Sequence, residues 1–438
     1  MLKRLGPSAV SAGEATSAAL FPSGLEFNAP VHGTWNIVHI GMLVPEAHQI
    51  YVCALNCMRG VVLTAAEMGA QDRFSCVVLK EEDITRGTVE QVTFEGIRDV
   101  LRKLEAAGKL PPCVIVFPVC THLFLGVPLA RVYRKLEEEF PQIDFVRALM
   151  DPISKRRMIP DKRLRKVMYD PLVPCEPDNG LVALLGSEFA PEADSDLRTL
   201  LAAGGKRLTS IHDCTTYEQF KGLARAGAFV SVFPNGEYGA RKTAERLGRR
   251  HLYLPSTFNY DEIEAQERRL CQELGLPLPD FAAHRASCDA SLEDLRDLVG
   301  DAPIAIDAVV HPRPLGLAHL LLAHGLNVSE IYLDGVNAEE AAELDWLREH
   351  APHVVLSSTI LPDLRVASRT RTEKTLAVGP KAAWFCGTGH FVNLVFGGGL
   401  WGYAGVRTLA ALMREAWEQE KDTRDLVPRK GLGCVSCI

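Results

Sequence analysis

The chain has 438 residues, of which 47% are hydrophobic and 24% charged, with a net charge of −7 at neutral pH. That length exceeds what one hydrophobic core serves and asks for roughly two or three domains. The acidic balance argues against nucleic acid held on a basic surface, and no run approaches the ~18 apolar residues that suggest a membrane span. The opening M-L-K-R-L-G-P-S-A-V-S-A-G-E-A-T lacks the apolar stretch of a secretory signal. Twelve cysteines without such a signal are expected to be reduced thiols in a cytoplasm, serving as ligands or core residues. The terminal G-C-V-S-C-I is no prenylation box, because Val435 stands fourth from the end.

In chain order, residues 1–32 are rich in Ala, Ser, Gly and Pro and read as an N-terminal arm that packs over a core or a partner. Trp35–Leu43 is an apolar segment of strand length. Met58–Met68 reads as a short helix broken by Gly69, and Phe74–Leu79 as a strand. Thr88 with Gln91 suggests a capping box, after which Phe94, Ile97, Val100, Leu101 and Leu104 follow at helical spacing until Gly108. Val114–Val119 is a buried strand that delivers Cys120 at its carboxyl end. Leu129, Val132, Tyr133 and Leu136 mark the next helix and Ile143–Leu149 the next strand. This alternation means a parallel sheet, whose ligand sites lie off the carboxyl ends of the strands.

Met150–Pro174 is proline-punctuated and basic, with Lys155, Arg156, Arg157, Lys162, Arg163, Arg165 and Lys166, and reads as a solvated surface segment. A docking surface for an acidic partner or an anionic substrate is the sharper alternative. A second α/β alternation runs from Leu181–Gly186 through Leu208–His212, Phe229–Phe233 and the helix Tyr260–Leu274, which Gly275 and Pro277 stop. A third begins at Ile304–Val310 and continues through a helix over Leu315–Gly325, then Glu330–Leu333 and His353–Ser357. The boundaries expected are therefore the arm at 1–32 and α/β domains at 33–175, 176–300 and 301–438, the last with a C-terminal helix and tail.

Five of the twelve cysteines fall between Tyr51 and Cys120: Cys53 and Cys57, Cys76, and Cys113 and Cys120. Cys53, Cys76 and Cys120 stand where predicted elements begin or end, so thiolates from separate segments can converge; soft ligands of that kind suit an iron–sulfur cluster or zinc. Cys57 lies one helical turn from Cys53 and is a fourth candidate. Zinc sites usually show paired compact spacings, and in this window only Cys53-x₃-Cys57 is compact. Cys434 and Cys437 form a similarly compact C-x₂-C pair on a terminal tail. Cys113, Cys175, Cys214, Cys271 and Cys288 read as core or incidental surface. G-G-G-L-W-G (Gly397–Gly402) matches a dinucleotide fingerprint, yet no second strand or acidic strand tip follows. Its glycines suit close backbone approach. No G-x-x-x-x-G-K-[ST] loop occurs, so any ATP hydrolysis belongs to another protein.

Cys53 with Arg59-Gly60-Val61-Val62 after it, then Cys76, then Cys120 ahead of T-H-L-F-L-G, resembles the cluster-binding half of a nitrogenase component 1 subunit. That superfamily includes the molybdenum–iron protein subunits, their scaffold relatives, and tetrapyrrole reductases. The resemblance implies three Rossmann-like parallel-sheet domains and an iron–sulfur cluster ([4Fe-4S] or larger) on Cys53, Cys76 and Cys120. A fourth ligand would be Cys57 or a partner's residue. It implies electrons from a separate ATP-dependent iron protein, and pairing with a second component 1-like subunit or with itself, as a homodimer or heterotetramer. In the molybdenum–iron protein a central-domain cysteine and a histidine near the C-terminal glycines hold the catalytic cofactor. The matching Pro255–Ile263 has no cysteine, and His390 in C-G-T-G-H-F-V-N is out of clear register. Cys386 and His390 remain candidates for a second site. The expected activity is that of a nitrogenase-like oxidoreductase subunit, with a tetrapyrrole reductase subunit or a non-catalytic cofactor-assembly scaffold as alternatives; a zinc-stabilised structural protein is the remaining one.

Overall fold

The computed structural model describes residues 9–21, 37–151, 158–365 and 373–423. Trp35, the basic residues Lys155, Arg156 and Arg157, and the pair Cys434 and Cys437 lie outside the described residues. The chain is α/β and divides into two compact units, one drawn from residues 37–187 and 208–253, the other from 9–21, 188–207 and 254–423. Among the described residues no helix is long and apolar enough to cross a membrane.

The first unit holds two four-stranded sheets. In one the spatial order is Phe74–Val78, Ala47–Cys53, Cys113–Pro118, Asp144–Arg147, with every pair parallel. Ala47–Cys53 and Cys113–Pro118 are buried along their whole length, as strands covered on both faces must be. The helix Val89–Ala106 turns Val89, Thr93, Ile97 and Leu101 inward at four-residue spacing, and ends at Gly108 in the left-handed region. The second sheet runs Arg207–Ser210, Asp178–Leu184, Ala226–Ser231, Arg250–Tyr253. One apolar core joins both sheets, and a second covers the other face of the first sheet.

The second unit holds a six-stranded sheet in the order Ala9–Ser11, Val355–Ser358, Val328–Leu333, Ile304–Asp307, Leu376–Val378, Phe391–Val392. All its pairs are parallel except the first, in which Ala9–Ser11 runs antiparallel on Val355–Ser358. The helices Tyr260–Leu274, Phe281–Val299 and Gly402–Glu418 belong to this unit. Asn259 caps the first through Asp261 and Glu262 N–H, and Gly275 closes it at φ 67°.

Four expectations are corrected. Ile37–Met42 is a helix with all six residues buried, where the apolar run Trp35–Leu43 suggested a strand; a short run with no polar face carries no period to read. No capping box forms at Thr88: its hydroxyl donates to the Asp83 carbonyl, and Gln91 donates to Glu95. Cys76 is the third residue of Phe74–Val78, not an element end. The basic segment is not all solvated. Pro160–Val167 is a helix whose Arg165 is 1% exposed. Arg165 donates to the Gly186 carbonyl at 2.8 Å and to Asp161 at 2.5 Å.

Candidate functional site

In the first sheet the chain lays down Ala47–Cys53, crosses to one side for Phe74–Val78, then returns to the other side for Cys113–Pro118. The strand order reverses between Ala47–Cys53 and Cys113–Pro118, and the crevice off the carboxyl ends at such a reversal is where open α/β sheets bind ligands. Cys53 is the last residue of the first of these strands. Val52 lies opposite Pro118, so Cys53 stands level with Val119, and Cys120 opens the short helix Cys120–Phe124. Cys57 sits in the first turn of the helix Leu55–Glu67 that follows Cys53. It sits near enough to Cys120 for the two thiols to influence one another. Three of the four sequence candidates thus gather at the reversal.

Cys76 arrives differently. It pairs with Tyr51, two residues short of the level of Cys53, and shares the face of the sheet that Tyr51 and Cys53 occupy. Two residues of rise and one strand spacing put its Cα ~8 Å from that of Cys53. Beside it the Tyr51 ring stacks on Phe117 at 4.4 Å and on Phe74 at 5.1 Å. This aromatic layer forms a dry floor below the cysteines. Cys53 is buried, while Cys57, Cys76 and Cys120 are half-buried.

Burial sets the protonation of the Cys57 and Cys76 thiols. The Cys76 thiol is pushed up to about 11 by desolvation. The Cys57 thiol is raised by burial first and by neighbouring Cys120 second. Such groups stay neutral at pH 7 unless a cation replaces the proton. Among the described residues no cysteine is in a disulfide. A lone tetrahedral zinc holds its thiolates within ~4 Å of one another. The one group of three ligand atoms mutually within 4.8 Å, among the described residues, is Asp196, Glu267 and His284. Thiols spaced more widely suit a polynuclear centre, in which each binds a different metal atom.

His122 is a residue that the cysteine pattern does not disclose. It is fully buried, its Nδ1 accepts from Val119 N–H at 3.2 Å, and its Nε2 lies 3.0 Å from Thr93 Oγ1, whose hydroxyl donates to the Val89 carbonyl. Desolvation holds its pKa below the usual imidazole value. A neutral His122 donating from Nε2 satisfies both contacts and fixes the turn that presents Cys120. The helices carrying Cys57 and Cys120 also expose Leu55, Val62, Leu123 and Phe124, an apolar rim beside the thiols.

The second candidate pair has separate surroundings. Cys386 is buried at the end of Pro380–Cys386, its Sγ 3.7 Å from the Tyr332 hydroxyl. His390 Nδ1 lies 3.1 Å from the Ala416 carbonyl, and its ring tilts against Trp417. The glycine stretch serves close approach: a Cβ on Gly399 would stand 2.2 Å from the Ala190 carbonyl oxygen. The histidine packed beside these glycines is His311, fully buried and pushed down to about 3 by desolvation. Its Nδ1 accepts from Arg313 N–H and its Nε2 meets Ser256 Oγ, so neither nitrogen is open to a metal. Cys113 lies in the core, and burial lifts its thiol to about 12. Cys175 is exposed, Cys214 half-buried, and Cys271 and Cys288 are buried on their helices.

No protein-family model matches this sequence, and no curated protein does. Solved structures do. A structure described as nitrogenase Cp1 at pH 6.5 superposes with a TM-score of 0.65 at 10% identity, covering 90% of this chain and 94% of that one. Nitrogenase Cp1 at pH 5 gives 0.56 at 13% identity, covering 94% and 95%. The chain has a nitrogenase component 1-like fold, its described residues forming three mainly parallel α/β sheets.

Proposed function

We propose that the chain is a nitrogenase-like oxidoreductase subunit holding an iron–sulfur cluster on Cys53, Cys76 and Cys120, with Cys57 as the fourth thiolate. The observation carrying this reading is the gathering of Cys53, Cys57 and Cys120 off the carboxyl ends of two adjacent strands where the sheet order reverses. The fold shared with nitrogenase Cp1 supports it. When bound, the cluster supplies one-electron transfer at low potential.

The chain's own residues set the conditions for that chemistry. Tyr51, Phe117 and Phe74 exclude water from the floor and lower the local dielectric. His122 stays neutral and holds the Cys120 turn through Val119 and Thr93. Cys57 and Cys76, whose thiols burial keeps protonated, would bind a cluster as thiolates by giving up those protons. The exposed Leu55, Val62, Leu123 and Phe124 suit a partner subunit or a second copy of the chain closing over the thiols. As the resemblance to component 1 subunits implies, electrons would arrive from a separate ATP-dependent iron protein; the chain itself carries no phosphate loop of the nucleotide-hydrolysing type.

The test is anaerobic purification followed by iron, sulfide and zinc analysis. Several irons with matching acid-labile sulfide are expected. Stoichiometric zinc with neither iron nor sulfide refutes the reading.

A further inference from the structure

A second group of ligands lies in the other unit, apart from the cysteines. Asp196 opens the helix Asp196–Ala203, Glu267 lies on Tyr260–Leu274 and His284 on Phe281–Val299. One ligand atom from each falls within 4.8 Å of the other two. Asp196 Oδ2 accepts the Ala404 N–H at 2.8 Å, which fixes the carboxylate. Its Oδ1 is 3.9 Å from His284 Nδ1, too long for a hydrogen bond.

Glu267 supplies the independent observation. Its side chain is 0% exposed, and its carboxyl has no hydrogen-bond partner other than the facing Asp196 carboxylate; burial first and Asp196 second push it up to about 9. His284 Nδ1 is likewise buried and unpartnered. Buried polar atoms in native proteins are almost always satisfied, so an orphaned carboxylate facing a second carboxylate and a bare imidazole nitrogen asks for an occupant. The backbone keeps the space clear. Gly402, at φ 70°, has no side chain, and a Cβ there would stand 2.5 Å from Asp196 Oδ2 and 2.8 Å from Glu267 Oε1.

We propose that Asp196, Glu267 and His284 bind a divalent first-row metal ion, which pins three helices and the start of Gly402–Glu418 to one another. Two carboxylates and one imidazole make a harder donor set than the cysteine group, suited to Mn²⁺, Fe²⁺ or Zn²⁺. Two carboxylates neutralise the ion, which removes the cost of placing like charges side by side in the core. Metal–ligand bonds of ~2.0–2.2 Å place donors ~3–3.5 Å apart, so a contraction of at most about 1–2 Å closes the site. The His284 side chain, 30% exposed, marks the route in. Three protein ligands leave at least one position for water.

Chelator-treated protein is titrated with Mn²⁺, and the free ion is followed by electron paramagnetic resonance. Manganese favours oxygen donors and leaves thiols alone. One ion per chain is expected, with unchanged affinity in Cys120→Ala, so the outcome is independent of the cysteine site. Glu267→Gln and His284→Ala should each weaken binding at least ~tenfold, on the scale seen when ligand shells are disturbed. Should Glu267→Gln fail to fold by circular dichroism, His284→Ala decides alone. No uptake by the wild-type chain, the result if a shared proton is the sole occupant, overturns the proposal. So does uptake that His284→Ala leaves unchanged.

Discussion

Arg165→Ala tests how far the first unit depends on a cation that composition alone assigns to the surface. The guanidinium is 1% exposed, donates to the Gly186 carbonyl and the Asp161 carboxylate, and lies 4.9 Å over the Phe233 ring. Truncation removes a bond to a charged partner, worth about 1.5–3 kcal/mol, and leaves a buried carbonyl short of a donor at about 1–3 kcal/mol. Water entering the vacated space offsets part of this. The expected loss is about 3 kcal/mol, near the low end for breaking a buried pair. Urea denaturation followed by circular dichroism reads it, with Lys162→Ala as the comparison. Lys162 is half-buried with its ammonium 5.8 Å from the Tyr238 ring centroid, so its loss should stay within about 0.5 kcal/mol. Equal effects from the two variants, or a loss under about 1 kcal/mol for Arg165→Ala, would refute the argument.

Gly402→Ala should cost about 2–4 kcal/mol by the same assay, since a Cβ meets two carboxylate oxygens and φ 70° is strained for any L side chain; a neutral result contradicts the packing described. Leu55→Ser and Phe124→Ser alter side chains that are 69% and 68% exposed. They should shift sedimentation toward monomer while leaving the urea midpoint nearly unchanged. The Cys76 thiol, pushed up to about 11 when folded, has an unfolded pKa of about 8.5. Its contribution to the stability of metal-free protein is therefore complete below pH ~8.5 and lost as pH rises through the folded value, seen as a falling urea midpoint over that window. Cys271→Ala, which loses a thiol bonded to the Pro277 carbonyl, should cost about 1 kcal/mol and leave any cluster spectrum intact.

The parallel-sheet alternation was legible because buried strands such as Cys113–Pro118 are unbroken apolar runs flanked by amphipathic helices. Tyr260–Leu274 was legible to the residue, since a Gly-then-Pro stop follows an apolar stripe. Ile37–Met42 was not: a fully buried helix has no polar face to announce it. Phe281–Val299 was hidden too, because its inward stripe is sparse and two prolines precede it. At the cysteines, strand-end placement could be read for Cys53 and Cys120, whereas the position of Cys76 depends on register, which one strand's sequence does not carry. Asp196, Glu267 and His284 come from three helices without shared spacing, so only the fold unites them.

The central claim is that three thiols on separate segments hold one polynuclear centre. Iron and sulfide content, with electron paramagnetic resonance of the dithionite-reduced protein, measured side by side on wild type and on Cys53→Ala, Cys76→Ala and Cys120→Ala, tests it most directly. Several irons in the wild type, with loss or conversion of the signal in each variant, is the predicted outcome. Unchanged iron and an unchanged signal in all three variants would contradict it.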